Sequence, residues 1–69
     1  MPTYCVNIRG QENGDHEVHE VSACDRLPAP INRLDLGWHL DCRGAVALAK
    51  RRYPTANGCY WCCNPCHTS

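Results

Sequence analysis

The chain has no phenylalanine and few other large apolar residues among its 69 positions. A chain this short buries only about 60% of the surface that its unfolded form exposes, so its apolar core is thin. Ordering each residue costs roughly 1.5 kcal/mol of conformational entropy, which apolar burial in so small a domain only just offsets. The sequence therefore predicts a single domain, residues 1–69, that needs a second source of stability.

Features that would assign the chain to several other protein classes are also missing. No apolar run is long enough to span a membrane, and the first residues lack the basic and apolar regions of an export signal. The sequence has no Gly-rich phosphate loop and no Ser-His-Asp arrangement typical of a hydrolase. It also has no C-x-x-C between a strand and a helix, as thioredoxins have. We therefore expect no membrane partner, no evident small-molecule substrate, no catalytic residue and a cytoplasmic location.

Cysteine, by contrast, is abundant. The seven cysteines make up about a tenth of the residues, a level typical of disulfide or metal scaffolds. Four of them fall within residues 59–67 (CYWCCNPCH) as two abutting C-x-x-C units, and that spacing is usual for zinc thiolates. An odd number of cysteines leaves one thiol unpaired in a monomer stapled only by disulfides. We predict a structural zinc ion, with a disulfide-stapled secreted domain as an alternative.

A structural zinc site needs four protein ligands, and one C-x-x-C supplies two of them. The others commonly come from a distant segment, because closing a long loop through the metal removes more freedom from the unfolded chain. One ion is favoured over two, since few cysteines and histidines outside residues 59–67 remain to complete a second set. The predicted ligands are Cys24, Cys59, Cys62 and Cys66. The alternates are Cys63, His67, His19 and Cys42.

Cys42 also supports a different function. It follows Asp41, a predicted helix cap, and the backbone N–H groups at a helix start lower the pKa of a thiol. Reaction at Cys42 or at a C-x-x-C would make the chain a thiol-based redox or alkyl-accepting protein. The position of Cys42 on the apolar face of the predicted helix fits a buried, inert thiol equally well.

The periodicity of apolar residues predicts an α+β fold. Alternating residues indicate strands over about 3–9, 16–23 and 33–40, and a 3.6-residue period indicates a helix over about 42–53. With Asn13 and Gly14 as the two central residues of a hairpin turn, Val6 would lie opposite Val21. The expected architecture is a three-stranded antiparallel sheet with one helix packed on it, followed by a Cys-rich tail over 59–67 with a tight turn at Asn57 and Gly58.

Charge is distributed unevenly along a chain whose formal net charge is zero. Residues 1–42 contain all seven acidic residues and three arginines, whereas residues 43–69 contain four basic residues and no acidic one. The candidate contacts for a phosphate are Lys50, Arg51 and Arg52, which would equally stabilise the dipole of the predicted helix without any partner. We expect a macromolecular partner, either a protein or a nucleic acid, for a zinc-stabilised binding module.

Four segments resemble those of a group of short, uncharacterised bacterial proteins: residues 6–7 (VN), 13–19 (NGDHEVH), 57–63 (NGCYWCC) and 66–69 (CHTS). This resemblance implies a bacterial, cytoplasmic, stand-alone domain. The chain is also similar, in the order of its elements, to the zinc-binding, methyl-accepting domain of the Ada DNA-repair protein, although the spacings differ. The shared order is His19, Cys24, a Leu-Gly segment, an Ala-rich helix and a C-x-x-C. That similarity implies a zinc thiolate site.

Overall fold

A computed structural model describes residues 2–68; Met1 and Ser69, the last residue of the CHTS segment, lie outside the described residues. The fold belongs to the α+β class, as predicted. Short 3₁₀ turns occur at Pro30–Asn32 and Asn64–Cys66. The strands and the helix are β1 (Thr3–Asn7), β2 (His16–Glu20), β3 (Arg33–Trp38), α1 (Cys42–Arg52) and β4 (Ala56–Gly58).

The sheet has four strands in the order β3-β1-β2-β4, and it is mixed rather than antiparallel. Strand β1 pairs antiparallel with β2 and β3, whereas β4 runs parallel to β2. The prediction of three antiparallel strands was therefore wrong in the number and direction of strands. Strand β4 has only three residues, all of them buried, so it leaves no alternation in the sequence. Its Asn57 and Gly58 were predicted to form a turn.

The pairing of β1 with β2 differs from the predicted register by three residues. Val6 lies opposite Val18 instead of Val21, and Cys5 lies opposite His19. The predicted two-residue turn is replaced by a longer loop, in which the N–H of Gln11 donates to Asp15 O at 2.8 Å. Because a shift by an odd number of residues exchanges the faces of a strand, His19 lies on the face opposite Val6 and Val18.

Helix α1 begins where the sequence predicts. The Asp41 side chain accepts a hydrogen bond from the N–H of Arg43 at 2.9 Å, which caps the first turn. Ala45 and Ala49 are fully buried, and their small side chains let the helix approach the sheet closely. The core between helix and sheet contains Tyr4, Val6, Val18, Leu36, Cys42, Ala45, Val46, Ala49, Ala56 and Cys63.

The face of the sheet turned away from α1 is also buried, although no α-helix among the described residues covers it. Cys5 and His19 are each 2% exposed there. The thiols of Cys24 and Cys62 lie beside the His19 ring, so the loop after β2 and the segment after β4 cover this face. Within residues 2–68 no helix is both long and apolar enough to cross a membrane.

Candidate metal centre

Four side chains meet on the helix-free face of the sheet. The ligand atoms of His19, Cys24, Cys59 and Cys62 all lie within 4.8 Å of one another. His19 Nδ1 is 3.5 Å from Cys24 Sγ and 3.8 Å from Cys62 Sγ. In tetrahedral zinc sites the Zn–S and Zn–N bonds place neighbouring ligand atoms roughly 3.5–3.8 Å apart. The four side chains can therefore hold one metal ion, and we call them the ligand cluster.

Backbone hydrogen bonds bring these four residues together from separate parts of the chain. His19 is on the inner strand β2, and the N–H of Cys59 donates to Val18 O at 2.9 Å, which places Cys59 next to it. The N–H of Cys24 donates to Glu20 O at 3.0 Å, so the chain turns back over β2. Three segments thus contribute ligands to one cluster: β2, the loop after it and the distant stretch after β4.

Further contacts favour the thiolate form of the cysteines and fix the ring of the histidine. The N–H of Glu20 donates to Cys62 Sγ at 3.3 Å, and the N–H of Arg26 donates to Cys24 Sγ at 3.4 Å. Hydrogen bonds of this kind stabilise a thiolate. His19 turns Nδ1 toward the sulfurs and Nε2 toward Glu17 Oε1, 3.7 Å away. A carboxylate on the far side of a ligating histidine fixes the ring and its tautomer.

Burial sets the protonation of the cluster when no cation is bound. Loss of solvent lowers the pKa of His19, and the nearby Glu17 carboxylate opposes that shift only in part. Burial raises the pKa of the Cys62 thiol well above its ordinary value, although the N–H of Glu20 lowers it. A Cys62 thiolate therefore needs a positive charge beside it, and a bound cation supplies one as the thiol proton leaves.

The predicted ligand Cys66 lies outside the cluster, because it forms a disulfide with Cys42 at a Cα–Cα distance of 6.3 Å. Among the predicted alternates, only His19 belongs to the cluster. Cys63 is buried in the apolar core, and His67 Nδ1 is 3.0 Å from Gly58 O. Within residues 2–68 the ligand cluster is the one group with metal-site spacing, so a second ion has no such site there.

The disulfide was not predicted as part of a metal-binding fold. Its position depends on the close approach of Cys66 to β4. A Cβ on Gly58 would lie 2.8 Å from the Cβ of Cys66 and 2.7 Å from Cys63 O, so only glycine fits there. A glycine within a strand can mark the close approach of another part of the chain, but in the sequence the pair Asn57 and Gly58 was interpreted as a turn.

The three basic residues at the end of α1 are exposed and divide between two surfaces. Arg51 and Arg52 line a groove between β3 and α1, whereas Lys50 lines a smaller polar pocket beside β4. In the described part of the chain, no carboxylate lies within 4.0 Å of any of the three. They are therefore available to a partner, and the two arginines share one site.

Comparisons with known proteins add no relative to this description. No protein-family model, no curated protein and no solved structure matches the chain.

Proposed function

We propose that the protein is a small binding module stabilised by one structural zinc ion, held by the ligand cluster. The supporting observation is the convergence of three sulfurs and one imidazole nitrogen, from three segments, at a largely buried site. Sulfur and imidazole donors in a tetrahedral set are typical of zinc, whereas magnesium and calcium take oxygen ligands. Since protein atoms fill all four positions, the ion would be structural and not catalytic.

The ion would join parts of the chain that little else connects. Cys24 lies in a loop without regular structure, and Cys59 and Cys62 lie beyond the short strand β4. Ligation ties both segments to His19 on an inner strand of the sheet. Apparent binding free energies of about 10–16 kcal/mol are typical for structural zinc in small domains, more than the thin core of this chain can supply. The rigid surface so formed would then bind a protein or a nucleic acid.

A bacterial, cytoplasmic setting remains part of the proposal, and the disulfide provides its test. Disulfides persist in oxidising compartments and are rare in the cytoplasm, where they are usually transient. A cytoplasmic protein should therefore yield Cys42 and Cys66 as thiols when cells are quenched with an alkylating reagent. Recovery of the pair as a disulfide would instead place the protein in an oxidising compartment and favour the secreted alternative.

Thiol-based redox chemistry is a second candidate, and the Cys42–Cys66 disulfide is the observation that favours it. A dithiol would reduce the pair and become oxidised itself. The same disulfide disfavours alkyl transfer to Cys42, since an alkyl acceptor needs a free thiolate. Mapping iodoacetamide labelling on the zinc-loaded protein after mild reduction of this disulfide tests the candidate, because disulfide-bonded cysteines are not alkylated. One rapidly labelled cysteine would support it, whereas uniformly slow labelling supports the structural site.

Cobalt substitution tests the proposed ligand set directly. Co²⁺ bound by thiolates gives strong sulfur-to-metal charge-transfer absorption, and a tetrahedral geometry gives intense visible d–d bands. We expect one Co²⁺ per chain with this spectrum, displaced by zinc. Cys24→Ser should reduce the charge-transfer intensity by about a third, because one of three thiolates is lost. Cys5→Ser is the matched control, since Cys5 is buried on the same face outside the cluster.

The proposal fails if the protein binds no metal with thiolate character. It also fails if Cys5→Ser changes the cobalt spectrum as much as Cys24→Ser does, because the ligands would then differ from the cluster. His19→Ala, which removes the nitrogen donor, should leave the thiolate bands but shift the visible bands.

A further inference from the structure

A groove of about 410 Å³ lies between β3 and α1, on the side of the molecule away from the ligand cluster. Volumes of this size are typical of sites that take several side chains. Leu34 and Leu36 line it from the strand, and Leu48 and Ala49 line it from the helix. Helix α1 buries other apolar residues against the sheet, but the Leu48 side chain is 40% exposed. The groove therefore offers an apolar surface of modest size to solvent.

The rim of this groove is mainly positive. Arg51 and Arg52 are exposed there, and neither is within 4.0 Å of a carboxylate in residues 2–68. Asp35 is the one acidic lining residue, and its Oδ1 accepts a hydrogen bond from the N–H of Gly37 at 3.0 Å. The chemical complement of such a surface is an apolar side chain close to a carboxylate, which guanidinium groups bind in a bidentate way.

The strand beside the groove has an open edge. Strand β3 lies at one edge of the sheet and, within residues 2–68, pairs with β1 alone. Such edges accept an extended segment, and pockets beside the added strand select alternate side chains. Local contacts occupy part of β3, since His39 Nε2 lies 2.8 Å from Leu36 O and Asp35 accepts from the N–H of Gly37. An added segment would therefore pair along the first half, Arg33 to Asp35.

We infer that this groove binds an extended peptide segment of a partner protein, in which an apolar side chain fills the space over Leu34 and Leu48 while a neighbouring carboxylate pairs with Arg51 or Arg52. The inference names the partner class of the binding module proposed above and so rests on that function. The groove itself contains no residue of the ligand cluster.

A nucleic acid fits this groove less well than a peptide does. Single strands bind to positive grooves through aromatic side chains on which their bases stack. None of the lining residues is aromatic, and the third basic residue of the helix end, Lys50, lies at the other pocket. Aliphatic side chains next to two arginines complement an acidic, apolar peptide.

NMR titration of the zinc-loaded, full-length protein tests the inference. The probe is a synthetic peptide of about ten residues in which leucine and aspartate take turns at every second position, with threonine between them, because alternate side chains of an added strand face the pocket. Matched peptides replace every aspartate by asparagine or by lysine. We expect amide shifts confined to β3 and the second half of α1, and binding roughly tenfold weaker for the asparagine peptide.

Charge-reversal substitutions on the helix distinguish peptide binding in the groove from general electrostatic attraction to the protein. Arg51→Glu with Arg52→Glu should weaken binding of the acidic peptide at least about tenfold, because two pairing groups become repulsive. Lys50→Glu makes the same type of change in the same helical turn but outside the groove, so it should weaken binding less than about threefold. Leu48→Asp, at an exposed position, should abolish binding without unfolding the protein.

Three results would overturn the inference. They are an acidic peptide that shifts no amide, a Lys50→Glu substitution that weakens peptide binding as much as the double reversal does, and a single-stranded oligonucleotide that binds more tightly with a steep salt dependence. Zinc content measured on the same samples distinguishes a failure of this inference from a failure of the proposed function. Stoichiometric zinc without peptide binding removes the inference alone, whereas peptide binding by a metal-free, folded protein removes the zinc site alone.

Discussion

The two faces of the sheet are both buried, but they are stabilised by different chemistry. On one face, Val6 and Val18 pack against the alanines of α1 in an apolar core. On the other, His19 lies among the thiols of Cys24, Cys59 and Cys62, and no helix covers it. Apolar side chains on the first face stabilise the fold because they are removed from water. Buried polar groups on the second face destabilise it unless each has a metal ion or a hydrogen-bond partner.

This difference shows how a small sheet can bury both of its faces. One eleven-residue helix can cover only one of them. The second face is closed by irregular loops, which contribute little apolar area and need a cross-link to stay in place. The proposed zinc ion supplies that cross-link on the second face, and the Cys42–Cys66 disulfide supplies another at the helix side.

Removal of zinc should have the largest effect on this arrangement. Treatment with EDTA should unfold the chain cooperatively, because it removes about 10–16 kcal/mol of apparent binding free energy. Far-UV circular dichroism and an NMR amide spectrum, recorded before chelation, after it and after zinc is restored, would follow the change. Retention of a dispersed spectrum without metal would show that the helix face is sufficient alone.

Loss of the disulfide should have the next largest effect. The double substitution Cys42→Ser and Cys66→Ser opens a loop of 24 residues. We expect the free energy of unfolding to fall by about 3 kcal/mol, since the unfolded chain regains freedom. Urea denaturation at saturating zinc measures this loss. Zinc stoichiometry should stay at one per chain; a loss of zinc would mean that the two cross-links are not separate.

A cavity in the apolar face should cost somewhat less. Val6→Ala removes two methyl groups from a fully buried position, which costs roughly 2 kcal/mol including the cavity. Urea denaturation should show this loss while the Co²⁺ spectrum of the folded protein stays unchanged. A changed spectrum would contradict the independence of the two faces.

Glu17→Gln should have the smallest effect and should be limited to the metal face. Loss of the carboxylate next to His19 Nε2 should weaken zinc binding about tenfold, because the ring is held less firmly and its nitrogen is less basic. Competition with a chromophoric chelator measures this change. Glu20→Gln is the control, since the contact of Glu20 with Cys62 uses its backbone N–H. An equal effect of both substitutions would indicate general electrostatics.

The same contrast between the faces determines what the sequence could predict. Helix α1 was predictable because its signals are local: Asp41 caps its first turn, and Pro54 follows its last. The neighbourhood of His19 was not, since it depends on a pairing register that the loop between β1 and β2 sets. The Asn13-Gly14 pair favoured the two-residue turn, which would have placed His19 at the edge of the apolar face that contains Val6.

Residue type was more informative than periodicity for the metal face. The C-x-x-C of Cys59 and Cys62, together with the isolated Cys24, indicated three of the side chains that the structure brings together. Cys66 was predicted as the fourth ligand and His19 as an alternate, whereas the structure brings His19 to the cluster, because the fourth position depends on non-local contacts. Strand β4 and the approach of Cys66 to Gly58 both arise from such contacts.

Intact mass spectrometry of one sample under native and denaturing conditions would show whether the folded protein holds one zinc ion. We expect a native mass about 63 Da above the denatured one, from one zinc ion that replaces two protons. In protein purified without a reductant, the denatured chain should be about 2 Da lighter than the fully reduced sequence, from the one disulfide. A metal-free protein with seven free thiols that still gives a dispersed NMR spectrum would contradict the account.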